Sequence, residues 1–160
     1  MLYIDTSVLL VYTLTQAVEK ERYPSTERFF AKISDGSLSG ATSFYALHEI
    51  YVFSIDNAPN FSTGAAFGKG ALERVLRLPL QILPFVSRSE RARHARRFSA
   101  LRDASDVPHA IAAYVYGCEA IVAYDEHFDA IADYLIISTF LIRLTLRDDR
   151  WTLLKKGKAA

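Results

Sequence analysis

Leu2-Tyr3-Ile4-Asp5-Thr6-Ser7-Val8-Leu9-Leu10 is the stretch whose reading decides the fold. Three apolar residues stop at a carboxylate and two hydroxyls, and the apolar run then resumes over Val8–Leu14. That pattern describes a short buried strand whose chain turns directly into a helix. Asp5 therefore stands at the carboxyl end of a strand, the side of an open α/β sheet where ligands gather. A second stretch repeats the arrangement: Ala120–Ala123 is apolar and is closed by Tyr124-Asp125. For either acid alone, capping the helix that follows is an adequate structural account.

Working outward, Ser25–Ile33 reads as a helix with Phe29, Phe30 and Ile33 on its inner face, broken by Asp35-Gly36-Ser37. A brief strand is expected at Leu38–Ala41, then a helix from Thr42 or Ser43 to Ile55, capped by one of those hydroxyls. This helix is apolar on nearly every side, the pattern of one buried all round. Asp56–Gly70 holds Asn, Pro and three glycines and reads as a loop or hinge with room for a helical turn, followed by a helix at Ala71–Leu78 and a strand at Leu80–Phe85. Ser87–Leu101 has a basic helical pattern, and Val107–Tyr116 a helix ended by Gly117. Phe128–Ala132 is expected as a helical turn and Tyr134–Ile137 as a last strand. Helices alternating with short apolar strands imply an α/β fold whose short parallel sheet is covered on both faces. We read residues 1–150 as one domain and 151–160 as a tail.

Composition narrows the function classes. The chain has 160 residues, of which 51% are hydrophobic, enough for a packed core and against disorder. Its net charge of +1 means that any nucleic-acid surface must be a local basic patch. One cysteine, Cys118, excludes an internal disulfide and a Cys-rich zinc site, and fits a reducing cytoplasm. The apolar stretches Ala41–Leu47 and Leu135–Leu141 are too short to span a bilayer, and no signal peptide is visible, so a soluble cytoplasmic protein is expected.

Two more acids stand where a core should be. Glu49 sits between Leu47 and Ile50 in the apolar helix, and a lone buried carboxylate costs several kcal/mol unless paired, protonated or bound to a metal; a surface stripe with His48 is the alternative. Asp106 opens the helix that carries Pro108 in its first turn, where it or Ser105 can serve as the cap and Asp103 is a rival. Two carboxylates about 4 Å apart repel by about 4 kcal/mol at an effective dielectric near 20, so a cluster of Asp5, Glu49, Asp106 and Asp125 requires protons or cations. All-oxygen donors favour Mg²⁺ or Mn²⁺. Such an ion binds a phosphate oxygen and activates water, which points to phosphodiester chemistry.

At this point a family resemblance enters. Tyr3-Ile4-Asp5-Thr6-Ser7-Val8-Leu9-Leu10 resembles the opening motif of PIN-domain nucleases, and Leu47-His48-Glu49-Ile50 is similar to the family's Glu-bearing helix. Asp106 with His109, Ala113 and Gly117 resembles the third motif, and Ala120–Phe128 the fourth. The resemblance implies a three-layer α/β/α fold and a metal-dependent endoribonuclease that leaves a 5′-phosphate and a 3′-hydroxyl. It further implies a VapC-like toxin paired with an antitoxin protein, and a homodimer. Thr6 and Ser7 would position the acids or bind the metal's waters, and Asp129 would supplement Asp125. One departure stands out: where the family has Thr or Ser two residues before the last Asp, this chain has Ala123.

Arg93, Arg96 and Arg97 share a basic helix just before Asp106 and are the candidate RNA contacts. A solvated helix face explains any one of them equally well. Three other functions compete with the nuclease. A receiver domain wants paired acids near the N-terminus and a later Lys at a strand end, and neither is found. A phosphoaspartyl hydrolase wants a second Asp two residues after the first, where this chain has Ser7. A catalytically inert PIN-like module that binds RNA or protein is favoured only by Ala123.

Overall fold

The computed structural model describes residues 1–131 and 142–143. Strand β1 (Leu2–Ile4) leads through Asp5 into α1 (Thr6–Thr13). Helix α2 (Tyr23–Ser34), β2 (Gly40–Ser43), α3 (Phe44–Asp56), α4 (Phe61–Leu76) and β3 (Gln81–Leu83) follow. Then come α5 (Arg88–His94), a 3₁₀ turn at Ala95–Phe98, α6 (Asp106–Val115), β4 (Ala120–Ala123), a 3₁₀ segment at Glu126–Ile131, and β5 (Ile142–Arg143). The expected strand at Tyr134–Ile137 and the tail at 151–160 lie outside the described residues.

Among the described residues all strand pairs are parallel, in the order β3-β2-β1-β4-β5. The chain builds outward from β1 through β2 to β3, then returns to add β4 on the other flank of β1. The reversal puts a topological switch point between β1 and β4, with a crevice at their carboxyl ends. Register fixes its lip: Ile4 pairs with Val122, and the Asp5 amide donates to the Val122 carbonyl at 3.0 Å.

Side chains alternate across the sheet with the two-residue period of a strand. Tyr3, Ile121 and Ala123 face one core layer with Phe98, Ile111 and Phe128. Ile4 and Val122 face the other, with Leu9, Phe29, Phe30, Ile50 and Val75. Helices cover both faces, which makes the fold a three-layer α/β/α sandwich. Helix α6 ends as expected: Gly117 takes φ +67°, its amide reaches the Tyr114 carbonyl, and the Cys118 amide reaches that of Ala113 at 2.8 Å.

Three expectations need correction. Most of Asp56–Gly70 is helix, because the glycines of α4 are contact points and not breaks. A Cβ at Gly64 would stand 2.7 Å from the Ile55 Cα, and one at Gly68 would meet the Tyr51 ring at 2.6 Å, so their absence lets α3 and α4 pack backbone to backbone. The basic segment Ser87–Leu101 is also not one helix. It starts with a capping box between Ser87 and Glu90, but α5 buries no residue and carries clustered arginines that repel one another, so it ends at His94. Finally, α3 is buried on one side only: Ala46, Leu47 and Ile50 are inside, while Phe44 and Val52 are 46% and 38% exposed.

Candidate active site

Each acid predicted for the site reaches the carboxyl edge of the sheet by a different element. Asp5 follows β1 and is nearly buried, with 5% exposure. Its Oδ2 accepts from the Ser7 amide at 2.9 Å and from the Ser7 hydroxyl at 2.7 Å, so it does cap α1. Oδ1 is left facing His109 Nδ1 at 3.9 Å. The Ser7 hydroxyl in turn accepts from the Tyr124 amide at 3.0 Å, tying the ends of β1 and β4 together beneath Asp125.

Glu49 projects from α3 with about a third of its side chain exposed, so burial alone does not explain it. The Thr6 hydroxyl donates to Glu49 Oε2, and His109 Nε2 lies 3.1 Å from the same oxygen. Asp106 is the first residue of α6, and its carboxylate is not used as a cap. Asp103 has that turn role, accepting from the Ser105 amide and hydroxyl at 2.8 Å each. Asp106 Oδ2 instead stands 3.2 Å from His127 Nδ1, and the same ring nitrogen stands 3.2 Å from Asp125 Oδ1. Asp125 also accepts from the His127 amide at 2.9 Å.

The charges feel one another. Burial, followed by the charges of Asp5, Asp125 and Asp103, pushes the Asp106 carboxyl up to about 6. Burial also raises Asp5, against the pull of His109 and Ser7. For Glu49 burial works upward too, but His109 and Thr6 outweigh it and hold the carboxyl below its ordinary value. Burial works against a charged His109, yet Glu49 and Asp5 carry the ring above its usual value. The result is an acidic patch with two imidazoles set among its members.

Among the described residues, Asp103, Asp106 and His127 offer donor atoms within 4.8 Å of one another. Asp5 and Glu49 lie outside that tight set and are bridged by His109. Oxygen donors with one imidazole, in a patch where burial and neighbouring carboxylates raise Asp106, fit a hard divalent cation. Alongside opens a cleft of about 770 Å³ lined by Ser7, Tyr124, Asp125, His127 and Asp129, with Arg22 and Arg102 on its walls. The guanidinium of Arg22 lies over the Tyr124 ring at 4.9 Å. Arg93, Arg96 and Arg97 do not line this cleft, and Arg97 lies over Tyr114 at 4.6 Å.

Sequence reasoning assigned no chemistry to His109, His127 or Arg22, and read Arg102 only as part of the basic run before Asp106. For His109 a signal existed: it is the one strongly polar side chain in the run Val107–Ala113, on the same face as Asp106 three residues before. His127 is adjacent to Asp125 only through the turn, and Arg22 only through long-range folding.

No family model and no curated protein matches the chain. Solved structures do. VapC20 of Mycobacterium tuberculosis, a toxin that cleaves the sarcin-ricin loop, is 17% identical with a TM-score of 0.60, over 81% of this chain and 94% of that one. VapBC2 of Rickettsia felis, solved bound to a DNA fragment from its promoter, is 15% identical with a TM-score of 0.54, over 82% and 93%. The fold of this chain is thus the PIN fold of the VapC toxins.

Proposed function

We propose that this protein is a divalent-metal-dependent endoribonuclease, the toxin of a toxin–antitoxin pair, with Asp5, Glu49, Asp106 and Asp125 as its metal-holding acids. One observation carries the reading. Burial first, and then acids delivered by β1, β4 and the turn before α6, lift Asp106 at the switch point to about 6. A patch left so unbalanced is expected where a cation is meant to bind, since ionised neighbours otherwise only destabilise the fold.

When bound, Mg²⁺ or Mn²⁺ would polarise a phosphate oxygen and make bound water a better nucleophile. The chain's own residues do the rest. Ser7 holds Asp5 while joining it to the end of β4, and Thr6 holds Glu49. This reading expects Arg22 and Arg102, which line the cleft with Asp125, to contact phosphates ahead of Arg93, Arg96 and Arg97, which do not line it. Asp129 lines the same cleft and would supplement Asp125 through water.

A protein partner fits the exposed aromatics. Phe44 stacks on Phe85 at 5.6 Å with both rings open to solvent, and Phe61 and Phe67 of α4 are 68% and 57% exposed. An antitoxin and a second copy of the chain are the occupants this reading expects. Among the described residues no helix is long and apolar enough to cross a membrane.

The test is cleavage of RNA by purified protein with Mg²⁺ or Mn²⁺. The expected products carry 5′-phosphates and 3′-hydroxyls, and Asp5→Asn is expected to abolish them. Cleavage unaffected by Asp5→Asn removes the site assignment. Absence of cleavage with either ion leaves the inert binding module in its place.

A further inference from the structure

We propose that His109 is a positioning residue for this site: its buried imidazole links Glu49 to Tyr3 and Ser43 and thereby fixes the carboxylate that the metal meets. This rests on the nuclease reading above and adds a residue to it.

The argument is geometric. His109 is 1% exposed and lies one turn along α6 from Asp106. Its Nδ1 is 2.7 Å from the Tyr3 hydroxyl, which is 2.6 Å from the Ser43 hydroxyl. A continuous polar chain therefore runs from the end of β2 through β1 and α6 to Glu49 on α3. Tyr3 stands two residues before Asp5, and Ser43 six before Glu49, so the chain braces the segments that deliver both acids.

Two features set it apart from ordinary core packing. The first is the outer nitrogen. Buried polar atoms are nearly always hydrogen-bonded. His109 Nε2 has no aligned hydrogen bond although it is buried and points at Glu49 Oε2 from 3.1 Å. Its polar neighbour is that carboxylate, met as a charge contact, so the nitrogen is aimed into the acidic site and not at the core. The second is Ser43. It occupies the N-cap position of α3 yet makes no side-chain cap bond there, because its hydroxyl is turned to Tyr3. A serine cap is worth about 1 kcal/mol to a helix, so the fold forgoes a local stabilisation to complete the chain. Outer partners that orient ligating side chains change metal affinity by about 10- to 100-fold when removed.

The test measures Mn²⁺ binding to the full chain by calorimetry, with thermal melts confirming that each variant folds. His109→Asn keeps a polar group near Nδ1 for Tyr3 and loses the reach to Glu49. His109→Gln returns a donor near Nε2. The expected results are a loss of Mn²⁺ affinity of about tenfold or more in His109→Asn, recovery toward wild type in His109→Gln, and no further loss when His109→Asn is added to Glu49→Ala. A merely structural role would instead give losses that multiply in the double variant. Tyr3→Phe, which deletes only the linking hydroxyl, is the second probe and should weaken Mn²⁺ binding in the same direction. A folded His109→Asn or Tyr3→Phe protein that binds Mn²⁺ as wild type does overturns the proposal. If Asp5→Asn weakens Mn²⁺ binding while the His109 variants do not, the nuclease reading survives and this one fails. Wild-type protein that binds no Mn²⁺ overturns both.

Discussion

Asp106→Asn should make the metal-free protein more stable at neutral pH and inactive as a nuclease. The Asp106 carboxyl rises from 3.8 to about 6 on folding. The folded state thus binds more protons than the unfolded state between those values, and stability falls as pH climbs through that window. Above it the ionised group costs the fold its full penalty, and below pH 3.8 the penalty is gone. At 1.36 kcal/mol per pH unit the upper bound is about 3 kcal/mol. Solvent screening reduces this, since the carboxylate keeps 13% of its exposure. Loss of a negative charge in the first turn of α6 gives back about 0.3–1 kcal/mol. A net gain of about 1–2 kcal/mol remains, or about 2–8 °C in melting temperature for a chain of this size. The assay is a set of thermal melts of wild type and Asp106→Asn in chelator from pH 3.5 to 8. The two curves should converge at the acid end and separate above pH 6. Mn²⁺ should then stabilise wild type more than the variant. Parallel curves at all pH values would mean that Asp106 ionises independently of its neighbours, and the acidic cluster would lose its physical basis.

Other outcomes follow from the packing and the cleft. Gly64→Ala and Gly68→Ala should destabilise by about 1–3 kcal/mol, because the new Cβ meets backbone or a packed ring, whereas Gly70→Ala, with nothing within 4 Å, should stabilise by up to about 1 kcal/mol; chemical denaturation separates them. Arg102→Ala should weaken RNA binding and reduce the salt slope of the affinity by about 1, while Arg96→Ala should leave the slope near wild type; a filter-binding titration across salt reads both. Cys118 is buried and its thiol is pushed up to about 11, chiefly by burial, so it should resist alkylation at pH 8 until the chain unfolds. Ser7→Ala strips a donor from Asp5 and orphans the Tyr124 amide, so it should cost about 1–3 kcal/mol by denaturation and lower RNA cleavage.

Signals that are local in the chain were legible before the structure. The β1–Asp5 junction, the β4–Asp125 junction and the Gly117 stop each combine an apolar run with an adjacent punctuating residue, and all three stand where expected. The failures share a cause, which is that the deciding partner is distant in sequence. Gly64 and Gly68 look like helix breakers until Tyr51 and Ser54 are seen packed against them. Ser43 looks like a cap until Tyr3 arrives to take its hydroxyl. Glu49 pointed to a site for a partly wrong reason. Its helix is not buried all round, and what distinguishes it is the pairing with Thr6 and His109. Arg93, Arg96 and Arg97 form the densest basic run, and they do not line the cleft beside Asp125.

The substitution at Ala123 bears on whether such a site can work at all. A hydroxyl two residues before Asp125 would steady the acids, and its absence is the chief sequence argument for an inert module. In the fold, Ala123 is 3% exposed and points into the apolar layer with Tyr3 and Phe128. The steadying contacts come from the opposite strand end. Ser7 donates to Asp5 and accepts from Tyr124, the residue between Ala123 and Asp125, while Thr6 donates to Glu49. Two consecutive hydroxyls at the start of α1 therefore brace an acid from β1, an acid from α3 and the backbone of β4. Since hydrogen bonds to charged groups contribute about 1.5–3 kcal/mol each, Asp5 and Glu49 keep their orientation without help from position 123, while Asp106 and Asp125 meet His127 instead. Position 123 is thus not needed to hold two of the four acids, and the cleavage assay decides between the nuclease and the inert module.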